Sequence, residues 1–213
     1  VTTGAFNALI GGIAGDALTT GPNNVAVGYN SLGSATTADN NVAIGSDAQF
    51  SNTVGDKNVA VGRSALLNFN PATDSDTYNT AVGHEAGKAV TTGVNNTLIG
   101  ALAGDALTDA DQNVAVGVNA LASDTLGSKS VAIGEGSLLF QNFTTATDAY
   151  NTAVGFQSGK AITTGRFNTL MGAFAGDALE DDNHNVIIGY ASGTVAQSAN
   201  NVFVGGSSGA NVT

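Results

Sequence analysis

The chain is 213 residues long, and only 11% of its residues are charged, against 42% that are hydrophobic. Its 17 acidic residues outnumber 6 basic ones, and no basic cluster offers the phosphate-neutralising Lys and Arg that nucleic-acid binding requires. Cysteine is absent, so disulfides and thiolate metal sites are excluded, and no stretch approaches the roughly 20 apolar residues of a membrane span. The composition therefore argues against nucleic-acid binding and against membrane insertion in this segment.

The dominant feature of the sequence is a repeated pentad of the form Asn-x-x-apolar-Gly, as in Asn-Thr-Ala-Val-Gly from Asn79 to Gly83. Twelve copies follow one another at steps of 17 residues, with two steps of 21 and a last step of 16. Gly closes every copy, and only one copy lacks the leading Asn. The first residues of the copies are Asn7, Asn24, Asn41, Asn58, Asn79, Asn96, Asn113, Ser130, Asn151, Asn168, Asn185 and Asn201. We interpret residues 1–213 as one repeat array and expect it to be a fragment of a longer chain.

The pentad has the composition of a strand that is covered on both faces. Its second position is Val or Thr in every copy except Ala8, and its fourth is aliphatic except for Met171. The third position, which projects from the opposite face, is Ala, Leu, Ile or Phe. Because both faces are apolar, we expect the second and fourth positions to fill a core. The third position would then meet a partner, and the simplest partner is another copy of the chain.

A second motif follows each pentad. The eighth residue of every repeat is Ala or Ser, as at Ala86, and we predict a second short strand around it, from Glu85 to Val90. Two short strands and two turns in 17 or 21 residues predict an all-β parallel β-solenoid of about twelve coils. We expect each leading Asn to stack on its equivalents in adjacent coils while its amide satisfies backbone groups of the turns. The Asn residues would then be structural rather than ligand-binding.

Above the single coil there is a longer period of 72 residues, which relates Asn58 to Ser130 and Asn79 to Asn151. Each such cassette contains one coil of 21 residues, whose surplus must bulge outward. We name residues 67–78 the first insert and residues 139–150 the second insert. Loops on a rigid scaffold are a common place of recognition. The predicted receptor-facing residues are Phe69, Asn70, Asp74, Asp76, Tyr78, Phe140, Asn142, Phe143, Asp148 and Tyr150. The competing interpretation is that the Phe side chains pack over the coil below.

The sequence offers no arrangement of residues that is typical of catalysis. His84 and His184 lie in different coil types, form no metal-ligand pair and are expected to face solvent. Acid pairs such as Asp74 with Asp76 lack the Gly and terminal Glu of an EF-hand loop, and no nucleophile elbow or phosphate-binding loop occurs. We therefore predict no catalytic, cofactor-binding or metal-binding residues, no cofactor and no enzyme activity.

Two other function classes would leave recognisable patterns in a solenoid sequence. An ice-binding solenoid needs a regular Thr array, but Thr at the second pentad position is confined to Thr80, Thr97, Thr152 and Thr169. A polysaccharide-degrading solenoid needs acids clustered in one groove, whereas the acids here fall mainly in turns. Grooves between subunits could still bring such acids together, so this second alternative stays open.

The coils resemble known fibrous repeats. Ser130-Val-Ala-Ile-Gly, followed by the small Ser137, is similar to the head repeats of trimeric autotransporter adhesins, which are trimers of left-handed parallel β-rolls that bind host surfaces. The longer, uneven coils with Thr-Thr-Gly turns, as at residues 91–93, depart from that pattern. The array from Asn79 to Gly93, together with the recurring Gly-Asp-Ala-Leu, is even more similar to the shafts of bacteriophage tail fibres.

This resemblance implies a left-handed β-roll in a homotrimeric, extracellular fibre that belongs to a virion or to a bacterial cell surface. The expected partners are two further copies of the chain and a host-cell-surface glycan or protein. We expect a structural fibre segment that presents or forms a host-surface-binding region, most simply in a phage tail fibre. The alternative is that the segment belongs to a bacterial trimeric adhesin or to an extracellular surface filament.

Overall fold

Twelve three-residue strands, one from each pentad, form a single parallel sheet in chain order. The computed structural model describes residues 3–194 and 199–210, and no helix long and apolar enough to cross a membrane occurs in those ranges. Two short parallel pairs, β4 with β6 and β10 with β12, lie at the inserts. The strands are β1 Ala8–Ile10, β2 Val25–Val27, β3 Val42–Ile44, β4 Gly55–Asp56, β5 Val59–Val61, β6 Ser75–Asp76, β7 Thr80–Val82, β8 Thr97–Ile99, β9 Val114–Val116, β10 Gly127–Ser128, β11 Val131–Ile133, β12 Thr147–Asp148, β13 Thr152–Val154, β14 Thr169–Met171, β15 Val186–Ile188 and β16 Val202–Val204.

Equivalent pentad positions stack directly on one another. Ala26 pairs with Ala43, Val59 with Thr80, and Ile187 with Phe203. The closing Gly is required by this stacking: Gly83 has φ +143°, and a Cβ there would lie 2.4 Å from the carbonyl oxygen of Gly100. The prediction of an all-β parallel β-solenoid is confirmed, with about eleven turns between the first and last strands.

The prediction of which strand face points inward is wrong. The third position is buried, so that Leu98 is 0% exposed, whereas Ile99 at the fourth position is 38% exposed. None of the second- and fourth-position side chains in the twelve strands is fully buried. The physical reason is the small cross-section of the coil, where the third-position side chain shares the interior with the small eighth residue, such as Ala103.

Side-chain volume is balanced between the third and ninth positions in most coils. Where the third residue is large, as at Leu98, the ninth is a left-handed glycine, here Gly104 with φ +56°. A Cβ on Gly104 would lie 2.8 Å from Leu98 Cδ2. The same pairing recurs at Leu9/Gly15, Leu170/Gly176, Ile187/Gly193 and Phe203/Gly209. In other coils a third-position Ala is matched by a buried ninth-position Leu, as at Ala26/Leu32, Ala60/Leu66, Ala115/Leu121 and Ala132/Leu138. At Ala81/Gly87 and Ala153/Gly159 both residues are small, and leucines of the neighbouring coils approach the glycine instead. The interior therefore accepts at most one large side chain from these two positions.

The predicted second strand from Glu85 to Val90 is also wrong, because this segment is a series of tight turns. Ala86 N donates to Gly83 O at 3.4 Å and Lys88 N to Glu85 O at 3.2 Å, which closes two successive turns with Glu85 and Gly87 as their third residues. Glu85 and Gly87 have φ values of 57° and 59°, as the third residue of a type II turn requires. The alternate N–H groups bond to the next coil, as Gly87 N does to Ala103 O at 2.9 Å.

The predicted Asn ladder is confirmed. Each ladder Asn from Asn7 to Asn185 accepts, through Oδ1, the backbone N–H of the next ladder residue at 2.8–3.0 Å, as Asn41 does from Asn58. Side-chain Nδ2 groups donate to turn carbonyls, for example Asn79 to Gly93 at 2.8 Å. At the break in the ladder, Gln141 bridges the gap: it donates to Ser130 Oγ at 3.0 Å and accepts from Asn151 Nδ2 at 2.8 Å.

Candidate recognition surface

The predicted receptor-facing residues divide into eight that are exposed and two that are not. Phe69 and Phe143 are buried, so the prediction that these two face a receptor is wrong. Each ring lies against the glycine of a short strand: a Cβ on Gly55 would be 2.7 Å from Phe69, and one on Gly127 would be 2.7 Å from Phe143. The competing interpretation, in which Phe packs over a coil, holds for both. Asn70, Asp74, Asp76, Tyr78, Phe140, Asn142, Asp148 and Tyr150 are exposed.

The first insert carries an exposed cluster of Lys57, Asp76 and Tyr78. Lys57 Nζ lies 2.5 Å from Asp76 Oδ2, and the Tyr78 hydroxyl donates to the same oxygen at 2.8 Å. Lys57 Nζ also lies 5.4 Å from the centre of the Tyr78 ring, within cation–π range. The hydrogen bond from Lys57 lowers the pKa of Asp76, and the same bond raises the pKa of Lys57. One anion, one cation and one ring edge thus face solvent together.

The second insert repeats this cluster with Lys129, Asp148 and Tyr150. Lys129 Nζ lies 2.6 Å from Asp148 Oδ2 and 5.3 Å from the Tyr150 ring centre, and the Tyr150 hydroxyl donates to Asp148 at 3.2 Å. The pKa of Asp148 is lowered, again first by the lysine hydrogen bond. Two copies of one arrangement, a cassette apart, make the clusters the best-defined chemical feature of the exposed surface.

The surroundings of the two tyrosines differ. Tyr150 stacks on Phe167 with ring centres 5.7 Å apart, and Phe167 stacks on His184 at 4.8 Å, with the Arg166 guanidinium 5.3 Å from the Phe167 ring. In the first cassette the residue that corresponds to Phe167 is Asn95. Both His84 and His184 are exposed, which confirms that expectation.

Sequence reasoning missed Lys57, Lys129, Phe167 and Arg166 as parts of this surface. The signal that could have found them is positional, because Lys57, Lys129, Tyr78, Tyr150, Phe167 and His184 all directly precede a pentad. Each of these residues has a left-handed φ between 51° and 63°, which places them in one exposed column along the solenoid. Reading that column down the sequence reveals the aromatic and basic residues at once.

Asn70 and Asn142 belong to a different column. Asn70 Oδ1 accepts from the Thr53 hydroxyl at 2.7 Å, and Asn142 Oδ1 accepts from the Thr125 hydroxyl at 3.0 Å. Elsewhere in this column the Thr hydroxyls donate to a carbonyl of the following coil; the donors are Thr19, Thr36, Thr91, Thr108 and Thr163. This Thr column lies outside the pentad, whereas the sequence-based test for a Thr array concerns the second pentad position.

Below the second insert lies a buried carboxylate. Asp124 is fully buried and accepts from the backbone N–H groups of Gly127 and Phe143, each at 3.0 Å, and from Gln141 Nε2 at 2.6 Å. In the first cassette the corresponding residue is Asn52, which accepts from Gly55 N at 2.8 Å. These contacts fix the base of each insert. Within the described ranges, no group of three or more His, Asp or Glu side chains is arranged to hold a metal ion.

A second surface is formed by the outward face of the twelve-stranded sheet. Its two columns, the second and fourth pentad positions, consist of Val, Ile and Thr with one Ala and one Met, and contain no charged residue. Ile10, Ile44, Ile99, Ile133, Met171, Val202 and Val204 are among the exposed large side chains. At about 4.8 Å per strand and about 10 Å of width, the face covers on the order of 500 Å².

Comparison with known proteins gives no match: no family model fits the chain, and no curated protein or solved structure is significantly similar to it.

Proposed function

We propose that this protein is a structural segment of an extracellular fibre, in which three copies of a left-handed β-roll associate and present a host-surface-binding region. The observation that carries the proposal is the uncharged outward face of the sheet, which runs across all twelve strands. A contiguous apolar patch of this size is at the upper end of what a soluble monomer exposes. Association of copies along this face would remove it from water.

The direction of the sheet suits such an assembly. Because equivalent positions stack in register, the apolar columns run parallel to the solenoid axis. A second copy aligned with the first can therefore contact it over the whole length of both chains, which a short patch could not provide. The length gives a stiff rod on the order of 55 Å. The resemblance to tail-fibre shafts favours a phage fibre over a bacterial surface filament.

The inserts supply the binding chemistry of the proposal. Their two Lys–Asp–Tyr clusters place hydrogen-bond donors, acceptors and a ring edge on rigid coils, which is a combination suited to the hydroxyl groups of a surface glycan or to a polar protein epitope. Tyr78 and Tyr150 are exposed in a single chain, and the fibre would display three copies of each.

The first test is the solution mass of the protein by light scattering at two concentrations, and we expect three chains. Val131→Asp combined with Ile133→Asp places charges in both outward columns and should give a folded protein of one-chain mass. The matched control is Thr144→Asp, an exposed position on the second insert, which should keep the mass of the parent. A parent that is a well-folded monomer would contradict the proposal.

Binding is tested separately on the assembled protein. Tyr78→Ala together with Tyr150→Ala should reduce retention of fluorescently labelled protein on a panel of bacterial cells while leaving the mass unchanged. Tyr29→Ala is the control, because Tyr29 is an equally exposed ring outside both inserts. Equal loss of retention in the control would show that the clusters have no special part in recognition.

A further inference from the structure

An exposed cluster of charged side chains directly follows two pentads of the first cassette, at the end of the strands opposite to the Lys57 cluster. Arg63, His84 and Lys88 surround the Glu85 carboxylate. Arg63 Nη1 donates to Glu85 Oε1 at 3.3 Å, and Lys88 Nζ donates to Oε2 at 3.1 Å. The hydrogen bond from Lys88 lowers the pKa of Glu85, and the neighbouring basic groups act in the same direction. Glu85 is thus an ionised anchor that holds two cations side by side.

Arg63 and His84 keep hydrogen-bond donors that no group in the described part of the chain accepts. Arg63 Nη1 lies 3.1 Å from His84 Nε2. Because a guanidinium only donates, Nε2 is the acceptor and the imidazole hydrogen is on Nδ1. Among the described residues, neither that Nδ1 nor the adjacent Nε and Nη2 of Arg63 has a partner. Adjacent guanidinium donors are the arrangement that binds a carboxylate or a phosphate in a bidentate manner.

The donors of this cluster are more exposed than the carboxylate that holds them. The side chains of Arg63, His84 and Lys88 are 60%, 52% and 40% exposed, against 18% for Glu85. An anion that approaches from solvent therefore meets the basic groups before it meets the Glu85 charge. The cluster presents donors to solvent although its own charges are partly balanced beneath the surface.

Two further carboxyl groups lie on the adjoining coils. Asp47, on the coil before Arg63, accepts from Asn30 Nδ2 at 2.9 Å and from the Ser46 hydroxyl at 3.0 Å. Asp105 lies on the coil that follows Lys88, and burial raises the pKa of its carboxyl group. Within the described residues, neither carboxyl group forms an ion pair with a basic group of the cluster. The exposed donors therefore remain available to an anion from solution.

The second cassette lacks this cluster and provides a natural comparison. Glu135, Phe156 and Gln157 occupy the places of Arg63, His84 and Glu85. Only the lysine is kept, as Lys160, whose Nζ lies 3.5 Å from Gln157 Oε1. The backbone bond between the two coils is also kept, since Gln157 N donates to Glu135 O at 2.9 Å just as Glu85 N donates to Arg63 O. The two cassettes thus share this corner of the coil and differ in its charges.

We propose that Arg63, His84 and Lys88 form a binding site for a phosphate group carried by a surface glycan, with Glu85 as the positioning residue. Two oxygens of a tetrahedral phosphate can accept from Arg63 Nε and Nη2, which leaves other oxygens for Lys88 and His84. Two cations are too few for nucleic acid, whose binding depends on many phosphate contacts. The choice of a glycan rests on the proposed host-surface function, whereas the phosphate site does not require association of copies.

The test is a titration of the whole protein at constant ionic strength, followed by proton–nitrogen correlation NMR, with inorganic phosphate and then with glucose 6-phosphate. Arg63 and Arg166 are the only arginines of the chain, so Arg166 is an internal control for the Nε–H signal of Arg63. We expect the Arg63 signal to shift and saturate in the millimolar range with both probes, while the Arg166 signal does not saturate.

Equal responses of the two arginines would show non-specific anion binding and overturn the proposal. Binding of inorganic phosphate without binding of glucose 6-phosphate would overturn the assignment to a glycan phosphate. A one-chain solution mass would contradict the proposed fibre and leave the phosphate result as it stands, so the two failures are distinguishable.

A loss-of-site variant is taken from the second cassette. Arg63→Glu with His84→Phe should weaken phosphate binding at least about tenfold, the loss expected for a charge-assisted hydrogen bond, as reported by backbone amides 84–88. Arg166→Glu changes the net charge by the same amount as Arg63→Glu and is the matched control, which should bind phosphate as the parent does. If both variants bind alike, net charge and not the cluster is responsible, and the proposal is overturned.

The reverse exchange tests whether the cluster is sufficient. Glu135→Arg with Phe156→His and Gln157→Glu completes the same set of side chains around Lys160. This variant should keep the circular dichroism spectrum of the parent and gain a second phosphate site, reported by backbone amides 156–160. A folded variant whose amides 156–160 do not respond to phosphate would show that these four residues do not make a site.

Discussion

The inward and outward faces of the twelve-stranded sheet are both apolar, yet they obey different rules. The inward face accepts a third-position Leu only where the ninth residue is Gly, as at Leu98 and Gly104. The outward face accepts Val, Ile, Thr or Met without any such matching. The inward side chains fill a closed space of fixed volume, whereas the outward ones meet no such limit within the chain. Volume matching, more than hydrophobicity, distinguishes the core face of this sheet from its outward face.

The strongest test of this comparison is Leu98→Asp. A carboxylate would replace a fully buried side chain among the apolar residues in the middle of the array. We expect a loss of about 4 kcal/mol or more in the free energy of unfolding, enough to abolish cooperative folding. Thermal melting followed by circular dichroism measures this, and native-like melting would show that the third position does not face the core.

Gly104→Ala should have the next largest effect. The added Cβ meets Leu98 and Leu107 at 2.8 Å and forces a non-glycine residue to φ +56°, so we expect a loss of about 1–3 kcal/mol in the free energy of unfolding. Combining Leu98→Ala with Gly104→Leu imitates the coil of Ala115 and Leu121. Chemical denaturation should show the double variant to be more stable than the two single changes predict, and simple additivity would refute volume matching.

Ile99→Asp is the outward counterpart of Leu98→Asp, one residue further along the strand. The new carboxylate can reach water, so we expect the isolated chain to keep its circular dichroism spectrum and to lose less than about 1 kcal/mol. The same change should disrupt association along the outward face. If Ile99→Asp unfolds the protein at concentrations where the parent is monomeric, the fourth position is part of the core after all.

The smallest effect is expected for Val114→Thr. Thr already occupies this column at Thr97 and Thr152, so denaturation should shift by no more than about 0.5 kcal/mol. Ala115→Thr, the adjacent inward change, provides the contrast because it adds volume and a hydroxyl to a fully buried site. Similar shifts for the two variants would remove the distinction between the faces.

The sequence alone predicted the parallel β-solenoid but not which face of its strands points into the core. The pentad period, the ladder of Asn residues and the closing Gly are each tied to a backbone hydrogen bond or a close approach, and such constraints leave a visible repeat. Within a single pentad the β-branched residues at the second and fourth positions are the stronger core signal, and they predict the wrong inward face. The pairing of Leu98 with Gly104, and of Ala115 with Leu121, was present in the sequence and would have given the right assignment.

Other features of the structure leave no local pattern in the sequence from which they could be predicted. The turns from Gly83 to Val90 contain Glu85 in a left-handed conformation, which residue preferences do not anticipate. In the inserts, Phe69 and Phe143 fill equivalent places against Gly55 and Gly127, although they occupy different positions in their cassettes. Aligning the sequences of the two cassettes therefore does not show that both rings are buried. The Lys57 and Lys129 clusters join residues from neighbouring coils, and only the stacked structure brings them together.

In-register stacking also makes the length of this molecule independent of its inserts. Within the described residues, the strand of each coil pairs only with the strands of the coils before and after it. A duplicated cassette of 72 residues would thus extend the rod by four coils, or roughly 19 Å, without remodelling anything already present. The length of the solenoid can therefore change by whole cassettes, while the sequence of the insert in each cassette can diverge independently. The two existing inserts already differ in this way, since Asp74 of the first corresponds to Ala146 of the second.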